Sequence, residues 1–81
     1  MTQPDPNIAV YGKPECADTA RSRALLDARG VAYDYFDVTT DDDARERAES
    51  VSGSTRAPVV VLAGGIVLVE PSDDELASAL G

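Results

Sequence analysis

The chain carries one sulfur nucleophile, Cys16, and no histidine. Its setting is Val10-Tyr11-Gly12-Lys13-Pro14-Glu15-Cys16-Ala17-Asp18-Thr19. An apolar run of β character, Ile8-Ala9-Val10-Tyr11, stops at a Gly-Lys-Pro turn, and a helical pattern begins at the cysteine. A thiol on the first turn of a helix meets unpaired backbone N–H groups and the positive end of the helix dipole. Both favour the anionic sulfur, which is the nucleophile in thiol–disulfide exchange. Lys13 can add positive charge from the same turn, whereas the carboxylate of Glu15 acts the other way. A lone cysteine is commonly a small buried hydrophobe. The polar neighbours Glu15 and Asp18 are not those of a core, so a reachable, reactive thiol is the expectation here.

The same counts exclude other chemistry. Without histidine there is no imidazole acid–base catalysis. One cysteine allows no intramolecular disulfide, and with no histidine it allows no all-Cys or Cys/His zinc site within one chain, so no metal is expected. The net charge of -8 weighs against nucleic acid and against anionic membranes. No run reaches the ~20 apolar residues of a membrane span. The stretch Met1-Thr2-Gln3-Pro4-Asp5-Pro6 lacks the basic and apolar regions of an export signal, and a free thiol suits a reducing compartment. A cytoplasmic monomer is expected.

Eighty-one residues suffice for one small domain. Residues 1–7, with two prolines, read as a flexible lead-in, and residues 8–81 as the domain. Ile8 to Tyr11 is the first strand, nearly all apolar and so covered on both faces. Cys16 to Arg29 is the first helix, with Ala17, Ala20, Ala24, Leu25 and Ala28 at three- and four-residue spacing as its buried stripe and Leu26 widening it. Gly30 is its stop, and Arg21, Arg23, Asp27 and Arg29 are its solvated face. Val31 to Val38 holds a second strand. Thr40 or Asp41 caps a second helix, Asp42 to about Val51, whose inner stripe would be Ala44, Ala48 and Val51. Val59 to Leu62 and Ile66 to Val69 are strands joined by the tight Ala63-Gly64-Gly65 reversal. Ser72-Asp73-Asp74-Glu75 is a capping box for a last helix. The order β-α-β-α-β-β-α predicts an α/β fold with a mixed four-stranded sheet flanked by helices.

A second constellation opens the third strand. Pro58 stands at its start, where a proline is tolerated. The statistics of X-Pro bonds alone favour trans, with cis at ~5–6%; the topology argues for cis. A cis Ala57–Pro58 bond would leave the N–H and C=O of Ala57 open to an extended chain, in the manner of strand addition.

From Ile8 to Leu80 the chain resembles the thioredoxin-fold glutaredoxin family, in particular the short glutaredoxin-like redoxins that reduce ribonucleotide reductase. The residues that carry the resemblance are Val10-Tyr11-Gly12-Lys13-Pro14-Glu15-Cys16, Gly30-Val31-Ala32-Tyr33, Asp37-Val38, Gly53, Ala57-Pro58-Val59-Val60-Val61 and Ser72-Asp73. It implies a thioredoxin-like fold with Cys16 as nucleophile and Lys13 as the lysine that assists the thiolate and contacts a glutathione carboxylate. Ala57 and Pro58 match the dipeptide whose backbone pairs with the cysteinyl unit of glutathione, and Ser72 and Asp73 the polar pair that receives its γ-glutamyl end. Four features depart from the family pattern. Thr19 stands where dithiol members have the resolving cysteine; its hydroxyl can donate to the Cys16 thiolate but closes no disulfide. The Cys-Gly-Phe-Ser motif of iron–sulfur-carrying members is absent. Arg56 replaces a frequent threonine and could supply positive charge to the thiolate or to a ligand carboxylate. Glu70-Pro71 replaces a glycine pair.

The resulting expectation is a monothiol thiol–disulfide oxidoreductase, with no tightly bound cofactor. Its partners would be protein mixed disulfides and a small thiol, glutathione or a mycothiol-type equivalent, as co-substrate. The alternatives are a non-catalytic binding module of the same fold, an iron–sulfur protein using Cys16 of two chains plus external thiols, or a redox-sensing thiol that is reversibly capped.

Overall fold

The computed structural model describes residues 8–81, and the stretch read as a lead-in lies outside them. The elements follow the expected order: β1 (Ala9–Gly12), α1 (Ala17–Ala28), β2 (Asp34–Asp37), α2 (Asp42–Ser52), β3 (Val59–Leu62), β4 (Ile66–Val69) and α3 (Asp73–Leu80). The strands form one sheet in the order β2-β1-β3-β4. β1 pairs parallel with β2 and antiparallel with β3, and β3 and β4 form an antiparallel hairpin. Gly64 and Gly65 turn that hairpin with φ of 85° and 83°, a region glycine enters without a Cβ clash.

Successive side chains of a strand point to opposite faces, so the central β1 needs cover on both. Val10 packs with Leu26 and Leu76 on the face covered by α1 and α3. Tyr11 packs with Val38, Ala44 and Ala48 on the face covered by α2. Val10, Leu26, Val59, Val60 and Leu76 are fully buried, and each such side chain contributes about 1.5–3 kcal/mol.

The helices depart from the expected stripes in an instructive way. In α1 the buried residues are Thr19, Ser22 and Leu26, while Ala17, Ala20, Ala24 and Ala28 are exposed. Thr19 lies against Gly12 of β1, and its Oγ1 accepts a hydrogen bond from the Lys13 N–H at 3.2 Å. With position 19 pinned inward, positions 22, 23 and 26 follow at helical spacing, and Ala28 falls about 180° round the helix. The alanines point outward because the closest contact with the sheet is made by small polar side chains, while Leu26 is buried and Leu25 packs against the core. Arg23, expected among the solvated residues, therefore lies over the Tyr35 ring, 3.9 Å from its centroid, and donates from Nε to the Tyr33 hydroxyl at 3.2 Å. In α2, Ala44 and Ala48 do face the sheet, but Val51 is 45% exposed. The next inward position is Ser52, four residues after Ala48, whose Oγ donates to the Ala48 carbonyl at 2.6 Å. Of the two candidate caps for α2, Asp41 accepts from the Ala44 N–H at 3.0 Å.

Two consequences are measurable. The Tyr35 hydroxyl is shut off from solvent with no hydrogen-bond partner among the described residues, and burial, the largest influence, pushes the phenol above its ordinary pKa. An unsatisfied buried hydroxyl costs ~1–3 kcal/mol, so Tyr35→Phe is expected to raise stability by about 1 kcal/mol in chemical denaturation. Asp37, at the end of β2, accepts from the Thr39 hydroxyl and from its N–H. The hydroxyl bond is the larger cause, and together they hold the carboxyl below its ordinary value. Its stabilising effect is present above the unfolded pKa of about 3.9 and is lost as pH falls through the lower folded value. In Tm measured against pH, Asp37→Asn should therefore be less stable than wild type at neutral pH, with the gap closing below about pH 4.

Candidate active site

The register of the sheet brings the site together. Tyr11 lies opposite Val59, and Val59 opposite Val69. One step further, the row continues through Gly12, Pro58 and Glu70. It is held by Val38 N–H to the Gly12 carbonyl at 3.0 Å and Glu70 N–H to the Pro58 carbonyl at 2.8 Å. The segments carrying Lys13 to Cys16, Arg56-Ala57 and Pro71-Ser72 thus leave the sheet at the same end.

Cys16 is the N-cap of α1, with extended backbone (φ -83°, ψ 125°) and no side-chain cap hydrogen bond. It is partly exposed. Its N–H closes the turn onto the Lys13 carbonyl at 3.0 Å, and its carbonyl accepts the first helical bond, from Ala20 at 3.1 Å. The sulfur is therefore fixed through its backbone, on both sides, while the thiol itself is not committed to the cap. Lys13 is exposed beside it. The carboxylate of Asp18 is paired with Arg21, one turn along.

Thr19 is 1% exposed. The hydrogen bond found for its hydroxyl is the one it accepts from Lys13 N–H, and none to Cys16 is found among the described residues. It shapes the loop that presents the thiol.

Facing this loop, the Ala57–Pro58 peptide is cis. Ala57 has no backbone hydrogen-bond partner among the described residues, so its N–H and C=O remain open to an extended ligand. Arg56 is exposed but committed: Nη1 lies 2.9 Å from Glu70 Oε1. Glu70 holds a left-handed φ of 48°, which non-glycine residues seldom adopt. The replacement of a glycine at this position was visible in the sequence; the partner of its carboxylate was not. Ser72 is engaged as well. Its Oγ accepts from Glu75 N–H at 3.1 Å, and its own N–H donates to Glu75 Oε1 at 2.8 Å. Asp73 is exposed next to it. Between α2 and residues Arg56 and Ala57 lies a small recess of about 20 Å³, with Tyr11, Val38, Arg45 and Glu49 among its lining residues. Arg45 and Glu49 had no site role in the sequence reading; their four-residue spacing beside Ala48 is the signal that places them on one side of α2.

A helix-opening, half-exposed cysteine opposite a cis-proline at the end of a four-stranded mixed sheet defines a redox protein of the thioredoxin fold. The glutaredoxin family model matches residues 8–67. A Mycobacterium tuberculosis protein classed with the glutaredoxins is 34% identical over 74 residues, covering 90% of this chain and 88% of its own length. Among solved structures, a mutant of the thioredoxin-like protein BC3987 superposes with a TM-score of 0.83 at 32% identity, covering 91% of this chain and 94% of the other. The buckwheat glutaredoxin–glutathione complex matches in fold, with a TM-score of 0.70 at 19% identity, 91% of this chain and 67% of that one. The chain belongs to the glutaredoxin family.

Proposed function

We propose that this protein is a monothiol thiol–disulfide oxidoreductase that resolves mixed disulfides between proteins and a small thiol. The Cys16 thiolate attacks the small-thiol sulfur of the mixed disulfide. A new S–S bond forms to Cys16, and the protein sulfur leaves as a thiolate and takes up a proton. A second small thiol, as its thiolate, attacks the Cys16 adduct, freeing Cys16 and leaving the oxidised dimer of the small thiol. The net exchange consumes one free small thiol per mixed disulfide and returns Cys16 unchanged, so no second cysteine is needed.

The observation that carries this reading is the half-exposed Cys16 at the N-cap of α1, its thiol unused by the cap, in a chain with no other cysteine. In the same reading Lys13 lends positive charge and Thr19 holds the loop. The open backbone of Ala57, beside Pro58, pairs with the small thiol's cysteinyl unit, while Arg56, Ser72 and Asp73 border its ends. Glutaredoxins work with a small thiol of the glutathione type, and the buckwheat relative was solved with glutathione. Glutathione and a mycothiol-type thiol are the candidates here. The test is multiple turnover of a peptide mixed disulfide with each thiol, followed by release of the free peptide thiol. Turnover that depends on Cys16 is expected, and its absence with both thiols removes the enzymatic reading.

A further inference from the structure

The cations that the fold brings to this end of the sheet are not equivalent. Lys13 is exposed and has no ion pair among the described residues. Arg56, on the segment that leads into Ala57, has its guanidinium on Glu70 at 2.9 Å. The Glu70 N–H in turn is bonded to the Pro58 carbonyl at 2.8 Å, so the pair spans the segments on either side of the ligand-facing backbone. A carboxylate arriving here must displace Glu70 from Arg56 or bind beside a second carboxylate. Lys13 remains open to a carboxylate, but the third place where one would be welcome, the N-terminus of α3, is filled. Glu75 already accepts from the Ser72 N–H, and the first turn carries Asp73, Asp74 and Glu75. Those acids satisfy the positive end of the helix dipole from within the chain.

We infer that Glu70 is a specificity-determining residue: by holding Arg56 it makes this site favour small thiols without carboxylates over carboxylate-bearing ones such as glutathione. The inference rests on the reading of Cys16 as the exchanging thiol and names the class of co-substrate for it. Glutathione remains a usable substrate, because an exposed ion pair is weak and can be displaced.

The test uses one chemical event that needs no turnover. Cys16 attacks a small disulfide, one thiol is released and the other stays on Cys16, and the intact protein mass reports the rate. The two probes are oxidised glutathione and its tetraethyl ester, which shares the disulfide and the skeleton but has all four carboxylates esterified. Salt is added to screen long-range attraction. In the wild type the ester should react at least about threefold faster. Glu70→Gln, which keeps a side chain of the same shape at the strained backbone position, should narrow that ratio by about two- to fivefold, the range an exposed ion pair allows. Asp34→Asn makes the same charge change at the far end of β2 and should leave the ratio where it was. Equal rates in the wild type, an unchanged ratio in Glu70→Gln, or equal narrowing by Asp34→Asn would each overturn the inference. Selective adduct formation without multiple turnover would remove the enzymatic reading and leave this one standing. Turnover without selectivity would do the reverse.

Discussion

A Cys16→Ser variant is expected to lose all reduction of mixed disulfides, down to the uncatalysed background, and yet to be at least as stable as the wild type. The two effects have separate physical origins. The sulfur is the only group in the chain that can form the covalent adduct, and a serine hydroxyl is not ionised at neutral pH. The position, however, is a helix N-cap with the extended backbone that caps require, and the thiol makes no cap hydrogen bond. Serine is among the best capping residues, with an advantage of ~0.5–2 kcal/mol over a side chain that does not cap. A hydroxyl at position 16 could accept from the free N–H groups of the first turn of α1. Urea denaturation should show Cys16→Ser unchanged or up by about 1 kcal/mol, with turnover measured on the same preparation. Residual turnover in this variant would remove Cys16 from the chemistry. A clear loss of stability would mean that the thiol has a packing role the fold does not suggest. An inactive, more stable protein is the pattern expected where a residue serves chemistry at some cost to the fold.

Gly12→Ala should be the most damaging small change in the neighbourhood of the thiol. A Cβ at position 12 would lie 2.5 Å from Thr19 Cγ2 and 2.7 Å from its Oγ1. Thr19 cannot move away cheaply: it is short, β-branched, 1% exposed, and its hydroxyl holds the Lys13 N–H. Overpacking of this kind costs ~1–3 kcal/mol, and each kcal/mol lowers Tm by about 4–8 °C in a domain of this size. Turnover should fall as well, because relief of the clash pushes the start of the Lys13–Cys16 turn away from α1. Removing the offending atoms tests the cause. In a Gly12→Ala/Thr19→Ala double mutant the losses should be less than additive, with a coupling of about 1 kcal/mol or more. Additive losses, or a Gly12→Ala protein as stable as wild type, would show that the contact is not what limits position 12.

Much of this arrangement was legible in the chain because it rests on local rules. Apolar β runs with a Gly-Gly reversal, a capping box at Ser72 and a glycine stop after α1 each act over a few residues, and the elements formed in the order those rules put them. The cysteine at a helix start is equally local, as is the proline that opens β3. The faces of the helices were less legible. The alanine stripe of α1 pointed outward, and Val51 of α2 did too, because a helix turns the face that can approach the sheet most closely. That face depends on Gly12 and Thr19 meeting across two elements, which hydrophobicity does not encode.

Sequence alone established the β-α-β-α-β-β-α order, the single thiol and where it sits, and the absence of a resolving cysteine. Each is a property of composition or of neighbouring residues. Tertiary structure decided which charges the site still has to offer. Arg56 and Glu70 stand fourteen residues apart, and only the β3–β4 hairpin register brings them within hydrogen-bonding distance. Likewise Thr19 became a support for the Lys13–Cys16 turn only when α1 was laid against β1. Such pairings depend on where strands and helices come to rest against one another, and no local pattern specifies that.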